Sequence, residues 1–140
     1  MGQKNFDAAF YSDAKLILQH HRRLTKVLAD LIRADNLTIH SEIASATLSE
    51  INAHFEFFFK IQKQHLKRYE YPHYDKHLGQ HKIFLRRFVA LCDNFANNGT
   101  TTKNDFLSFA EELKSHLSKF HDEYAQYLKD CGCDEPDGAD

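Results

Sequence analysis

The sequence has no long apolar run and no basic start followed by an apolar core. Neither a membrane span nor a signal peptide is therefore expected, and the expected location is the cytoplasm. It has 3 cysteines, an odd number, and two of them stand near the end as Cys131-Gly132-Cys133. That is no disulfide framework, and it suits a reducing compartment. A net charge of −2 gives no electrostatic basis for binding nucleic acid or an anionic membrane. Strand alternation, a phosphate-binding loop and a nucleophile paired with a base are all missing. The one Glu-x-x-His pair, Glu70 to His73, straddles Pro72, so no enzymatic activity is expected. What is present is a 140-residue chain with 42% hydrophobic and 27% charged residues, ordinary values for one domain with a single core. Its unusual component is histidine, with 10 copies.

The stretch from Tyr71 to His81 organises the rest. Pro72 suits the first turn of a helix and not its interior. Behind it, His77 and His81 are four residues apart and stack on one helical face. The same stripe continues through Phe84, Phe88, Leu91 and Phe95, so both imidazoles point into the interior. Such a pair can chelate one metal ion, and it can equally be two core histidines satisfied by hydrogen bonds.

In chain order, residues 1–12 read as an irregular arm, with Ser12 as a cap for a first helix reaching Ala34. Two stripes compete on that helix. One runs Ile17, His21, Leu24, Leu28, Leu31 and the other Leu16, His20, Leu24, Val27, Leu31, so one histidine faces inward and the other is solvated. Thr38 caps a second helix that runs to about Tyr69 with Phe55, Phe58, Gln62 and His65 on its inner face and His54 at its flank. The run Phe55-Glu56-Phe57-Phe58-Phe59 puts aromatic residues around much of the circumference, so some of them cover a neighbouring helix or a partner. A third helix runs from Pro72 to about Asn97, where Asn98-Gly99 is a stop signal. Thr102 to Asp105 resembles a capping box for a fourth helix bearing Phe106, Phe109, Leu113, Leu117, Phe120, Tyr124 and Leu128. His116 and His121 flank that stripe, and Gly132 ends the helix before an acidic, flexible tail. The expected fold class is all-α, an up-down-up-down antiparallel four-helix bundle over residues 13–131, with the tail at 132–140.

These motifs resemble the hemerythrin family, in particular bacterial hemerythrins, over about residues 13–130. The resemblance rests on His21-Arg22-Arg23-Leu24, on Tyr71-Pro72 preceding His77 and His81, and on His116 with Tyr124 eight residues later. It selects His21 over His20 as the inward residue. In that family two irons are held by five histidines and bridged by two carboxylates. The two histidines of the HxxxH pair and the one on the fourth helix serve one iron, as His77, His81 and His116 would here. The family spacing puts the second helix's histidine at Phe58, the bridging glutamate at Gln62 and the bridging aspartate at His121. A register slipped by one turn would put His54 in place of Phe58.

Two close divalent ions need anionic bridges to offset their repulsion, so a modified, mononuclear histidine site is expected. Its candidate ligands are His21, His77, His81, His116 and His121, with Gln62 as a hydrogen-bonding support and His54 and Phe58 as the positions in question. The resemblance implies iron, one or two ions, while imidazole ligands also suit zinc or copper. It implies a metal-binding protein for oxygen or redox sensing, binding or metal handling, with dioxygen or another diatomic as ligand. The alternatives are a conventional di-iron oxygen carrier and a metal-free helical interaction module.

Overall fold

The computed structural model describes residues 6–34, 42–94 and 103–132. Among them the chain is all-helical, in four rods that form a helical bundle. The first rod is α1 (Ala8–Arg33); the second joins α2 (Glu42–Ala53), a π-helical segment (His54–Phe58) and α3 (Phe59–Arg68). The third is α4 (Tyr74–Asp93) and the fourth α5 (Lys103–Asp130). No helix among the described residues is long and apolar enough to cross a membrane.

The first helix begins earlier than its sequence pattern indicates. Asp7, not Ser12, is the N-cap, and its carboxylate accepts from the Phe10 amide at 3.0 Å. Residues 8–12 are therefore helical, because Phe10 is buried in the core and stacks on Phe6 at 3.7 Å, which draws the chain into the helix. At the other end of the molecule's second rod, Tyr71 N–H bonds to Leu66 C=O at 2.9 Å and Glu70 N–H to Lys67 C=O at 3.2 Å. This is a Schellman closure, and it holds Glu70 at φ 56°, a left-handed conformation that a residue with a Cβ adopts only under constraint. The turn so formed contains Pro72, and α4 starts two residues after it, at Tyr74. The ends expected at Thr38, Asn97, Asn98-Gly99 and Thr102, and the tail from Cys133 on, lie outside the described residues. Gly132 does close α5, at φ 78°, with its N–H on Lys129 C=O.

The interior has three parts. One apolar cluster gathers Leu24, Leu28, Leu31, Ile51, Phe55, Phe88, Phe106, Phe109 and Leu113. The other gathers Phe10, Ile17, Leu18, Leu66, Tyr71, Phe120, Tyr124 and Leu128. Between them lies a polar layer of buried side chains: His20 and His21 from α1, His54 and Gln62 from the second rod, and His77 and His81 from α4. On α1 the change from apolar to polar and back is direct in sequence, from Leu18 through His20-His21 to Leu24.

The phenylalanine run is also resolved. Phe55 is core, Phe57 is 64% exposed, and Phe58 and Phe59 are half-buried over histidine rings. A π-helical turn takes up more residues than an α-turn, so neighbouring side chains fan out to different faces.

Candidate metal centre

Helix α4 presents His77 and His81 from successive turns, with ring centroids 4.5 Å apart. Helix α5 brings His116 to 5.7 Å from His77 and 5.5 Å from His81. One nitrogen from each of the three rings lies within 4.8 Å of the others, the group among the described residues that can hold a metal ion. Nitrogens around an ion at about 2.1 Å stand roughly 3.4 Å apart, so modest ring rotations would close the set. Both nitrogens of His81, and Nε2 of His116, are buried without a hydrogen-bond partner. Phe59 stacks on the His81 ring at 3.9 Å, nearly parallel, and Phe84 lies 4.9 Å from His116. The rings are thus walled by aromatics, with nitrogen lone pairs left over.

The electrostatics follow from burial. Loss of hydration lowers the pKa of His77 to about 3 and of His116 to about 4, and puts His81 well below 6.5. Neighbouring imidazoles push His81 and His77 further in the same direction. Neutral imidazoles are the form that binds metals.

Gln62 links the triad to α1. Its Nε2 donates to His21 Nε2 at 2.6 Å, and His77 Nε2–H donates to its Oε1 at 2.7 Å. In this arrangement His77 has its lone pair on Nδ1, and His21 carries its proton on Nδ1, which is buried without a partner. Gln62 therefore has the supporting, hydrogen-bonding position expected of it. Gln62→Leu leaves two buried imidazole nitrogens unpaired, and an expected loss of about 1–3 kcal/mol per group follows. Urea unfolding in the presence of chelator measures it, and an unchanged midpoint would mean that the two bonds contribute nothing.

Two expectations are corrected here. Phe58 does not occupy the interior position. It is half-buried and stacks on His20 at 3.8 Å, while His54, a turn earlier, is fully buried. The π-helical segment begins at His54 and redirects both side chains. His20, expected in solvent if His21 faces inward, is also buried, at 5% exposure, under the Phe58 ring and within 2.9 Å of His54 Nδ1. Desolvation lowers His20 to about 4 and His54 to about 3. His54 Nε2 has no partner, and its ring is 5.1 Å from His81 and 5.8 Å from His21. The sequence carried no separate signal for this pair, since Phe55, Phe58 and Phe59 stand at i, i+3 and i+4, an ordinary helical stripe that leaves His54 at its flank.

His121 is not brought to the triad. It is half-buried and lines a cavity of about 320 Å³ with His21, Arg22, Lys26, Ser118 and Asp122 between α1 and α5. Five residues separate it from His116, about 140° around the helix, so the two rings leave α5 on different faces. His65 is an interior residue, as expected, with Nε2 2.6 Å from the Tyr124 hydroxyl and Nδ1 3.6 Å from the Asp13 carboxylate.

Comparison of the chain with models of known protein families, with characterised proteins and with solved structures returns no match.

Proposed function

We propose that this chain is a hemerythrin-like transition-metal-binding protein whose His77, His81 and His116 hold one ion. The observation that carries this reading is the convergence of three neutral imidazoles from two helices, with buried nitrogens lacking any other partner. An up-down-up-down bundle is part of the proposal, and paired residues support it. Arg23 meets Glu50, Asp13 meets His65 and Asp7 meets Arg68, one number rising as the other falls. The same order holds for Arg87 with Glu112 and Lys76 with Glu123, and for Phe88 with Phe55 and His77 with Gln62.

The donor set fits an iron, zinc or copper ion, and affinity alone favours the last two. A bound ion would supply a Lewis-acidic and, for iron or copper, redox-active centre, and the proposed ligand is dioxygen or another diatomic. The chain's own part is to keep the three rings neutral, to orient His77 through Gln62, and to exclude water with Phe59, Phe84 and Phe120. A role in sensing, binding or metal handling in the cytoplasm, without catalytic turnover, completes the reading.

A second reading, a two-ion centre, has its own observation. His54 Nε2 is likewise buried without a partner, and its ring is 5.8 Å from that of His21, whose unpartnered Nδ1 would become a lone-pair donor on a change of tautomer. The nearest bridging position is an amide, not a carboxylate, which favours a single ion.

Metal analysis of protein purified without added metal tests the assignment. His77→Ala, His81→Ala and His116→Ala are each expected to cut occupancy sharply, since three ligands are the minimum for a tight site. His73→Ala, on the exposed turn, should not. Equal metal in all four variants would place the site elsewhere, and two ions lost together with His54→Ala would favour the two-ion centre.

A further inference from the structure

All six tyrosines of the chain lie on one side of the histidine layer. Tyr69, Tyr71, Tyr74, Tyr124 and Tyr127 belong to the apolar cluster around Phe10, and Tyr11 stands edge-on to Phe10 at 5.3 Å. The opposite cluster is built of leucine, isoleucine, phenylalanine and alanine, with Cys92 packed against it, and contains no tyrosine among the described residues. Tyrosine is the oxidisable aromatic of these residues, so the asymmetry has chemical content.

One tyrosine is connected to the histidine triad by stacked rings. Phe120 lies 4.0 Å from His77 on one side and 5.6 Å from Tyr124 on the other, with both ring pairs close to parallel. The Tyr124 hydroxyl, in a fully buried side chain, is 2.6 Å from His65 Nε2. The other nitrogen of His65 lies 3.6 Å from the half-exposed carboxylate of Asp13. A phenol that loses an electron must also lose its proton, and a buried phenol can do so only to an adjacent base. Tyr71 also touches Phe120, edge-on at 6.2 Å, but its buried hydroxyl has no hydrogen-bond partner. The base is at Tyr124 alone of these two.

We propose that Tyr124 is a redox-active tyrosine that gives one electron to an oxidised metal ion at the His77–His81–His116 triad while His65 takes its proton. This rests on the metal-binding reading above. The oxidant is an ion raised above its resting state by a peroxide. In the step, the Tyr124 O–H bond breaks, the proton moves along the hydrogen bond to His65 Nε2, and the electron passes through Phe120. The products are a neutral phenoxyl radical, an imidazolium whose charge faces Asp13, and the ion lowered by one electron. The tyrosine cluster then carries oxidising equivalents away from the histidines, through Tyr127 in ring contact with Tyr124 at 6.1 Å.

The test loads the full chain with ferrous iron without air, adds stoichiometric hydrogen peroxide, freezes it and records the electron paramagnetic resonance spectrum. A tyrosyl signal is expected in the wild type and in Tyr71→Phe, and its loss in Tyr124→Phe. Placing 3,5-difluorotyrosine at position 124 keeps the hydroxyl and its hydrogen bond, and adds fluorine splittings if the radical sits there. Iron that binds and is oxidised without a tyrosyl signal overturns this proposal alone. So does a signal that survives in Tyr124→Phe or lacks the fluorine splittings. Protein that takes up zinc or copper but no iron overturns this proposal alone, and protein that takes up none of the three overturns the metal-site reading and this proposal with it.

Discussion

His81→Leu is expected to make the metal-free protein more stable and to abolish metal binding. Both His81 nitrogens are buried with no hydrogen-bond partner, and the ring is covered by Phe59. A buried polar group left unsatisfied costs about 1–3 kcal/mol. Leucine has nearly the volume of histidine and no polar atom, so it keeps the contacts with Phe59 and Phe55 and removes that cost. A gain of about 1–3 kcal/mol in chelator is expected by the same reasoning. His81→Ala would instead open a cavity and destabilise. With metal present the ranking reverses, because the wild type gains the binding free energy and the variant, with two ligands, does not. Thermal unfolding with chelator and with excess zinc checks both signs. A His81→Leu protein less stable than wild type in chelator would show that the orphaned nitrogens are not costly. Unchanged metal content would show that His81 is not a ligand.

Acid is expected to unfold the metal-free protein through protonation of its buried histidines. His77 and His54 fall to about 3 and His20 and His116 to about 4 in the folded protein, from an ordinary value of 6.5. Between pH 6.5 and about 4 the unfolded chain therefore binds protons that the folded one refuses. Stability is complete above pH 6.5 and falls with pH through this window, by roughly 1.4 kcal/mol per pH unit for each histidine kept neutral. Four such groups exceed a typical domain stability of about 5–15 kcal/mol within a few pH units. An unfolding midpoint near pH 5 is expected from that slope, to within about one unit. A bound ion competes with protons for the same nitrogens, so metal should move the midpoint down and leave together with the fold. Circular dichroism across this range, with and without zinc, measures it. A metal-free protein fully folded at pH 4 would mean that these histidines are hydrated.

Much of the site was legible along single helices. His77 and His81 are one α-helical turn apart, and Phe84 and Phe88 extend their stripe, so their shared inward face follows from periodicity alone. The apolar stripe of α5 was legible for the same reason. His116, at its flank, was readable only as a candidate. The interior place of His54 was not legible, because a π-helical turn breaks the period on which such reading depends. The burial of His20 depended on that same turn, since Phe58 covers it only after the change in direction.

By itself the sequence determined an all-helical chain, a histidine pair on one face of its third rod, and the apolar stripes of the individual helices. Each of these is a property of one helix and its repeat, so local spacing is enough. The family resemblance grouped His116 with His77 and His81, and tertiary structure decided how the histidines of different helices actually meet. It placed His116 beside His77 and His81, tied His21 to His77 through Gln62, turned His121 toward the α1–α5 groove, and set Tyr124 against His65. These are relations between helices, and they depend on the level at which each rod packs against the next. That level is set by the fit of whole faces of side chains, which no single helical period contains.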